Sequence, residues 1–242
     1  ITRILRCEEG TVEAVVKWSP RFDYARSQTQ IESVPAGWLA TGGGEAMFLC
    51  GPDDAKIDEN GRNATLHSRI TMHEGEKKLI EIRWGLDDMT CNPSRAEESF
   101  ERTIEVWQTW TQYGDLAKTS LWAGDWLPYI TRAGLILKLL TMADSGAIAA
   151  APTTSLPEEI GGVRNWDYRY AWVRDASMTA QALVSLGHSR EAIDFLQWME
   201  RTAEAHSGAR QPQVLFGLHD PAVDPEEIEL EHLEGYQCSR PV

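Results

Sequence analysis

PTTSLPEEIGGVRNWDYRYAWVRD, residues 152–175, is the stretch of this sequence that decides how its fold is interpreted. Two prolines and a pair of adjacent glycines predict a long loop over its first half. A dense run of aromatic and charged residues follows, and the stretch ends in WVRD, residues 172–175, where we expect a helix to begin. Such a mixture is unusual for a plain apolar core.

This mixture of rings and charges has two interpretations. Arginine and aspartate are rarely buried unless they are paired and hydrogen-bonded. A sugar pocket uses the same residue types, because carboxylate and guanidinium groups both bind hydroxyls while a tryptophan or tyrosine ring covers the apolar sugar face. The alternative is a buried Arg174–Asp175 or Arg164–Asp167 network that locks helices together. The residues alone leave the two interpretations evenly balanced.

The first ninety or so residues have the character of β-structure. Thr11–Trp18 alternates between apolar and polar positions. Ala64–Met72 and Lys77–Trp84 predict two strands joined across residues 73–75, and Asn60-Gly61 predicts a tight turn. Several short strands separated by glycine and proline favour a sandwich.

Helical spacing begins after Asn92, where Ser94 and Glu97 form a candidate capping box. The first helix is expected to end near Tyr113, and a second helix is expected over Leu116–Met142. The order of β-structure first and helices second predicts an α+β protein and argues against a doubly wound sheet.

Two further helices are predicted after the aromatic stretch. One begins at residues 172–175 and ends at Gly187, and the next begins with Ser189 as its cap. Four residues of this last helix are expected to face inward: Ala192, Phe195, Leu196 and Met199.

Charge and composition exclude several classes of partner. The chain has 242 residues, 42% of them hydrophobic and 25% charged, which is typical of an ordinary globular protein. A net charge of −14 argues against nucleic acid and anionic membrane surfaces as partners but not against neutral sugars. No apolar run reaches the roughly 20 residues that a membrane-spanning helix needs.

Cysteine and histidine spacing predicts neither a metal site nor a cofactor. The six histidines lack close ligand spacing, and Asp220–Glu231 lacks the glycine and ligand register of a calcium loop. Cys7, Cys50, Cys91 and Cys238 form no CxxC pair and are expected to be free thiols, which favours a reducing, cytoplasmic location.

Four segments resemble glycoside hydrolase family 15, the glucoamylase and trehalase family. Residues 151–177, APTTSLPEEIGGVRNWDYRYAWVRDAS, are similar to its signature, and residues 131–150, TRAGLILKLLTMADSGAIAA, to the helix before it. Residues 20–26, PRFDYAR, resemble its N-terminal domain, and residues 230–242, LEHLEGYQCSRPV, a later active-site loop. Two departures are Ala171, where bacterial members often have cysteine, and Cys238, where glycine is usual.

The resemblance implies an N-terminal β-sandwich joined to an (α/α)6 barrel. On this basis we expect a partial sandwich at 1–91, a linker helix at 92–114 and the beginning of the barrel at 115–242. It also implies that the barrel loops form a pocket for the non-reducing end of an α-glucoside. The site residues carried over from the family's motifs, all substrate-binding, are Arg174, Asp175, Trp172 and Tyr168, with Trp166 and Arg240 from neighbouring loops.

The family's reaction is an inverting hydrolysis by two carboxyl groups, and both glutamates are expected beyond Val242. Glu158, Glu159 and Glu234 do not match the catalytic motifs. The sequence lacks an initiator methionine, so we expect an internal fragment. Because both catalytic glutamates are expected outside it, we expect this fragment to be inactive by itself. The favoured function is glucoamylase-like hydrolysis of oligosaccharides. The alternatives are an α,α-trehalase acting on a disaccharide and a carbohydrate-binding fragment without catalysis, and the oligomeric state is left open.

Overall fold

The computed structural model describes residues 1–59, 63–114, 116–154, 156–208, 213–220, 222 and 225–240, without the side chains of 116–118 and 120. Two compact units are present, Ile1–Glu105 and Val106–Val242. The predicted turn at Asn60-Gly61 and the final Pro241-Val242 lie outside the described residues.

The described residues of the first unit form two antiparallel sheets. One has five strands in the order β1-β8-β5-β4-β3, and the other has three in the order β2-β7-β6. The strands are β1 (Thr2–Arg6), β2 (Thr11–Trp18), β3 (Gln30–Val34), β4 (Gly37–Gly42), β5 (Glu45–Cys50), β6 (Ala55–Asp58), β7 (Thr65–His73) and β8 (Lys77–Trp84).

Both sheets contribute side chains to one core. Trp18 and Leu66 from the three-stranded sheet belong to the same buried cluster as Ile31 and Leu49 from the five-stranded sheet. This two-layered arrangement agrees with the predicted sandwich. The strands β7 and β8 follow each other as predicted, but β7 pairs with β2 and β6 whereas β8 pairs with β1 and β5. The turn between them therefore carries the chain from one sheet to the other.

A disulfide joins Cys50 at the end of β5 to Cys91, with 5.6 Å between their Cα atoms. The expectation of free thiols is therefore wrong for this pair, although Cys7 and Cys238 are free. A separation of 41 residues leaves no local signal, because the pairing depends on the sheet that brings the two residues together. The cytoplasmic location stays a prediction and loses the support that the cysteines gave it.

The helices are α1 (Pro93–Tyr113), α2 (Leu116–Ala123), α3 (Leu127–Leu139), α4 (Val173–Ser185) and α5 (Ser189–Ala205). Short strands β9 (Ala171–Trp172) and β10 (Leu215–Phe216) lie among them. Short 3-10 turns cover Asp23–Ala25, Gly124–Trp126 and Tyr236–Cys238. Among the described residues, no helix has the length and apolar character needed to cross a bilayer.

The start of α1 differs from the predicted capping box. Asn92 is the capping residue, because its Oδ1 accepts a hydrogen bond from the Arg95 backbone N–H at 3.1 Å. Glu97 instead forms an ion pair with Lys77 at 2.8 Å. The box at Ser94 and Glu97 is therefore wrong, while the predicted end of the helix at Tyr113 is confirmed.

The single helix predicted over Leu116–Met142 is wrong. It is divided into α2 and α3 by a 3-10 turn at Gly124, whose φ of +50° is left-handed, and Pro128 then stands in the first turn of α3. The predicted end of α4 at Gly187 is confirmed by its φ of +90°.

The last helix begins at the predicted place with a different cap. Ser189 is already inside α5, and His188 precedes it without a side-chain cap bond. Leu196 is 60% exposed, so its predicted inward position is wrong, whereas Phe195 and Trp198 are buried. These two rings anchor a core with Ile148, Ala171, Ala176 and Phe216. The complete (α/α)6 barrel stays a prediction.

Candidate substrate-binding site

The aromatic stretch is held in place by backbone hydrogen bonds on two flanks. The strand β9 pairs with β10, Trp172 lying opposite Leu215, and the Val173 N–H donates to the Val214 carbonyl at 3.1 Å. The Ala151 N–H donates to the carbonyl of Tyr168 at 2.8 Å. Since Ala171 is fully buried in the core, the neighbouring residues of this strand are fixed with it.

Three of the predicted rings lie together. The rings of Tyr168 and Trp172 are stacked, with 5.0 Å between their centroids and 15° between their planes. Trp166 lies 6.2 Å from Trp172 at an angle of 49°. The Trp172 Nε1–H donates to the Asp167 carbonyl at 3.5 Å. All three rings are half-buried and keep accessible surface.

Arg174 and Asp175 occupy the first turn of α4. The Arg174 Nε and Nη2 lie 3.2 and 3.0 Å from the Asp175 Oδ2. The Arg174 side chain is 69% exposed and that of Asp175 30%, so they are an accessible pair and not the buried lock of the alternative interpretation. Within the described residues, neither the Asp175 Oδ1 nor the Arg174 Nη1 has a hydrogen bond. Both groups are open to a ligand, and the backbone N–H groups of the first turn favour the carboxylate.

The second half of that alternative, an Arg164–Asp167 network, is absent from the described residues. Arg164 instead contacts Glu158 at 3.5 Å on the surface. Asp167 pairs with Arg169, with 3.0 Å between Nε and Oδ1 and 2.7 Å between Nη2 and Oδ2. The Asp167 side chain is only 9% exposed, so this pair braces the loop just before Tyr168.

Arg240 lies on the segment after the 3-10 turn at Tyr236–Cys238. Its side chain is 68% exposed and contacts Glu229 at 3.1 Å, while its carbonyl accepts a hydrogen bond from the Asn165 Nδ2 at 2.6 Å. Arg240 is therefore tied to the residue that precedes Trp166. Cys238 has a φ of +62°, the left-handed region that glycine adopts without strain.

The three glutamates that the family pattern does not match are surface groups. Glu158, Glu159 and Glu234 are exposed, and Glu234 accepts a weak hydrogen bond from the Cys238 thiol at 3.7 Å. In the part of the chain that the structure describes, no group of three or more histidine, cysteine, aspartate or glutamate side chains is placed to hold a metal ion.

Comparison with known proteins matches both parts of the chain. Residues 129–242 match the model for glycosyl hydrolases family 15, and residues 1–108 match the trehalase-like N-terminal model. The matched part of the chain, residues 129–242, belongs to glycosyl hydrolases family 15. The resemblance read from the sequence is thereby confirmed.

Curated relatives of this chain carry the name trehalase. The trehalase of Mycolicibacterium smegmatis is 37% identical over 256 residues, which covers 100% of this chain and 36% of the relative. The trehalase of Mycobacterium tuberculosis is 35% identical over 254 residues, which covers 100% of this chain and 35% of the relative. The trehalase of Thermoplasma acidophilum is 29% identical over 244 residues, which covers 100% of this chain and 39% of the relative. The chain thus spans little more than a third of the length of these relatives. No significant match to a solved structure is found.

Sequence reasoning missed two buried polar residues beside the site. Asn165 is 7% exposed and Ser239 is fully buried, and both make hydrogen bonds between loops far apart in sequence. Their importance depends on tertiary contacts, so no local pattern distinguishes them from ordinary polar loop residues.

A second missed feature is a polar cluster around the buried Glu191 and His188, which the partly exposed Trp110 and Lys138 complete. The Glu191 Oε1 accepts hydrogen bonds from the Trp110 Nε1 at 2.7 Å and the Lys138 Nζ at 2.8 Å. Burial raises the pKa of Glu191, but these two hydrogen bonds, a backbone hydrogen bond and the charge of Lys138 together hold the pKa below its usual value. Burial lowers the pKa of His188, whose ring stacks on Trp110 with 3.7 Å between centroids.

Proposed function

We propose that the protein to which this chain belongs is a glycosidase that hydrolyses trehalose, and that the aromatic stretch binds one of its glucose units. The observation that carries the proposal is the open Arg174–Asp175 pair in the first turn of α4, the helix that directly follows Trp172, whose ring is stacked on Tyr168. A glucose ring presents hydroxyls at its edge and C–H groups on its faces, which matches this combination of charges and rings.

Each side chain has a distinct part in this proposal. The Arg174 guanidinium donates hydrogen bonds to sugar oxygens, and the Asp175 Oδ1 accepts one from a hydroxyl. Trp172 and Tyr168 lie against the sugar face, while Trp166 and Arg240 line the neighbouring part of the pocket. None of these residues transfers a proton in the reaction. They hold the glucose so that its anomeric carbon faces the catalytic carboxyl groups.

The proposed chemistry is an inverting hydrolysis. One carboxylic acid protonates the oxygen that leaves, and a second carboxylate removes a proton from water, which attacks the anomeric carbon from the opposite face. Both groups are expected to be glutamates beyond Val242. Space for the water requires the two carboxyl groups to be about 6.5–9.5 Å apart.

The names of the relatives support trehalose as the proposed substrate. Three curated relatives aligned over the whole chain are named trehalase, which favours trehalose over the glucoamylase-like action that the sequence alone suggested. Trehalose joins two glucose units through their anomeric carbons, so both of its rings are non-reducing ends. A pocket that holds one terminal glucose therefore suits it.

The test is an assay of the full-length protein on trehalose, maltose and soluble starch, with NMR detection of the anomers released. We expect kcat/KM for trehalose to exceed that for maltose at least about tenfold. Inversion releases α-glucose and β-glucose in equal amounts from trehalose before they equilibrate. Faster hydrolysis of maltose or starch would support glucoamylase action instead. Sugar binding without hydrolysis would leave only a carbohydrate-binding role.

A further inference from the structure

Two buried polar residues connect the loops that carry Trp166 and Arg240. We propose that Asn165 and Ser239 are positioning residues that latch these two loops together and so fix both pocket side chains before substrate arrives. This inference rests on the proposed function, because it takes Trp166 and Arg240 to line a sugar pocket. Neither Asn165 nor Ser239 is proposed to touch the substrate.

The latch consists of hydrogen bonds in both directions. The Asn165 Nδ2 donates to the Arg240 carbonyl at 2.6 Å and to the Gly162 carbonyl at 3.2 Å. In return, the Ser239 Oγ accepts from the Gly161 N–H at 2.7 Å. The bond between Asn165 and Arg240 joins residues 75 positions apart in sequence, and the bond between Gly161 and Ser239 joins residues 78 positions apart. The two loops are therefore fastened at two adjacent points.

Burial makes these hydrogen bonds strong local constraints. Asn165 is 7% exposed and Ser239 is 0% exposed, so water does not replace a lost partner easily. A buried polar group left without its partner is considerably more unfavourable than the same group in water. The two loops are therefore expected to separate in one step, which exposes the side chains of Asn165 and Ser239 to water at the same time.

The position of the latch relates it to the pocket. Asn165 directly precedes Trp166, and Ser239 directly precedes Arg240. The Arg240 side chain is 68% exposed and paired with Glu229, which is itself 53% exposed, and such a surface pair holds its partners only weakly. The position of the Arg240 backbone, from which the side chain extends, thus depends on the hydrogen bond that its carbonyl accepts from Asn165.

Loss of the latch is expected to weaken substrate binding without slowing the chemical step. Without the latch, the loops must become ordered when substrate binds, and this entropy loss weakens binding. The catalytic groups lie elsewhere, so the chemical step on bound substrate is unaffected. Loss of the latch should therefore raise KM and leave kcat almost unchanged.

The experiment compares Asn165→Ala and Asn165→Asp in the full-length protein with trehalose as substrate. Asn165→Asp keeps the size of the side chain but replaces the donor with an acceptor that faces two carbonyls. We expect KM to rise about tenfold in both variants with kcat within about twofold. An unchanged KM in Asn165→Asp would overturn the latch.

A double-mutant cycle separates positioning from general stability. If Asn165 acts by positioning Trp166 and Arg240, then Asn165→Ala should raise KM less than about twofold in a background that carries both Trp166→Ala and Arg240→Ala. A full, additive increase in that background would overturn the proposal, because Asn165 would then act independently of both pocket side chains.

Amide hydrogen exchange of the free protein provides a readout that needs no activity. We expect Asn165→Ala and Ser239→Ala each to accelerate exchange in both 158–165 and 236–240, with α4 unchanged. Acceleration in only the mutated loop would contradict the latch. A wild-type protein that hydrolyses none of the three sugars would contradict the proposed function, and coupled exchange would still establish the latch.

Discussion

Two polar clusters of the helical unit, Val106–Val242, contain the same kinds of residue and differ in how far their carboxylates are exposed. Glu191 is 8% exposed in its side chain and accepts hydrogen bonds from Lys138 and Trp110. Asp175 is 30% exposed and accepts from Arg174 alone among the described residues. Each cluster combines a cation, a carboxylate and a nearby tryptophan. Residue type does not separate them, but the exposure of the carboxylate does.

The difference indicates two roles. In the buried cluster, Glu191 of α5 accepts hydrogen bonds from side chains of α1 and α3 while it is shielded from solvent, so its contribution is to stability. The open pair retains the Asp175 Oδ1 and an exposed guanidinium, so its groups are available to a ligand. Substitutions in one cluster at a time, with activity and stability both measured, test this difference in role.

The largest expected effect is on catalysis, from Asp175→Asn or Arg174→Ala in the full-length protein. Losing a charge-assisted hydrogen bond to substrate should lower kcat/KM for trehalose by about 30- to 1000-fold, which corresponds to about 2–4 kcal/mol. The free energy of unfolding should change by less than about 1 kcal/mol, because the pair is exposed. Steady-state kinetics and urea unfolding measure the two quantities.

Arg190→Ala is the matched control for Arg174→Ala. Arg190 is an exposed arginine near the start of α5 and contacts Asp194 at 3.9 Å. Its loss should alter neither kcat/KM nor stability. Full activity in both Arg174→Ala and Asp175→Asn would remove these residues from the pocket.

The next effect is on stability, from Glu191→Ala. The change removes the acceptor of Trp110 and Lys138 inside the helical unit, so the free energy of unfolding should fall by about 2–4 kcal/mol. The folded fraction should keep its kcat/KM within about twofold. A loss of activity as large as that of Asp175→Asn would show that the buried cluster is functional and would end the distinction between the clusters.

A smaller effect should appear in the pH dependence of stability. Burial keeps the pKa of His188 below its ordinary value of 6.5, so the unfolded chain takes up a proton there before the folded protein does. Stability is therefore lost as pH falls from about 6.5 towards the lowered pKa of His188. His188→Gln should flatten the slope of unfolding free energy between about pH 7 and 5.

Protonation of Glu191 does not contribute to the pH dependence in this range. The pKa of Glu191 lies below its ordinary value of 4.5, so its contribution is complete above that pH and is lost only at lower pH. Urea unfolding of wild type and His188→Gln above pH 5 thus isolates the histidine. Identical slopes would show that His188 does not contribute to the pH dependence.

The smallest effect is expected at Arg164, in the loop before the aromatic stretch. Its contact with Glu158 is exposed, with 67% and 51% of the two side chains accessible. Arg164→Gln should change the unfolding free energy by less than about 0.5 kcal/mol and leave activity intact. A loss of several kcal/mol in the free energy of unfolding would instead support the Arg164–Asp167 network that was the alternative interpretation of the sequence.

Features governed by local sequence were predictable. The loop that leads to a helix start at Trp172–Asp175, the end of α4 at Gly187 and the alternation of Thr11–Trp18 agree with the structure. Each depends on neighbouring residues, whose pattern is visible in sequence. The grouping of Tyr168 with Trp172 was also expected, since both belong to one short motif.

Features governed by distant contacts were not predictable. The disulfide between Cys50 and Cys91, the assignment of β7 and β8 to different sheets, and the burial of Asn165 depend on tertiary proximity. The break at Gly124 was missed because a lone glycine in a helical pattern is commonly tolerated.

The most direct test of the central claim is a crystal structure of the full-length protein with glucose or trehalose bound. We predict sugar hydroxyls about 2.6–3.2 Å from both the Arg174 guanidinium and the Asp175 carboxylate, with the ring beside Trp172. A sugar bound elsewhere, while Arg174 and Asp175 contact only each other and water, would contradict the account.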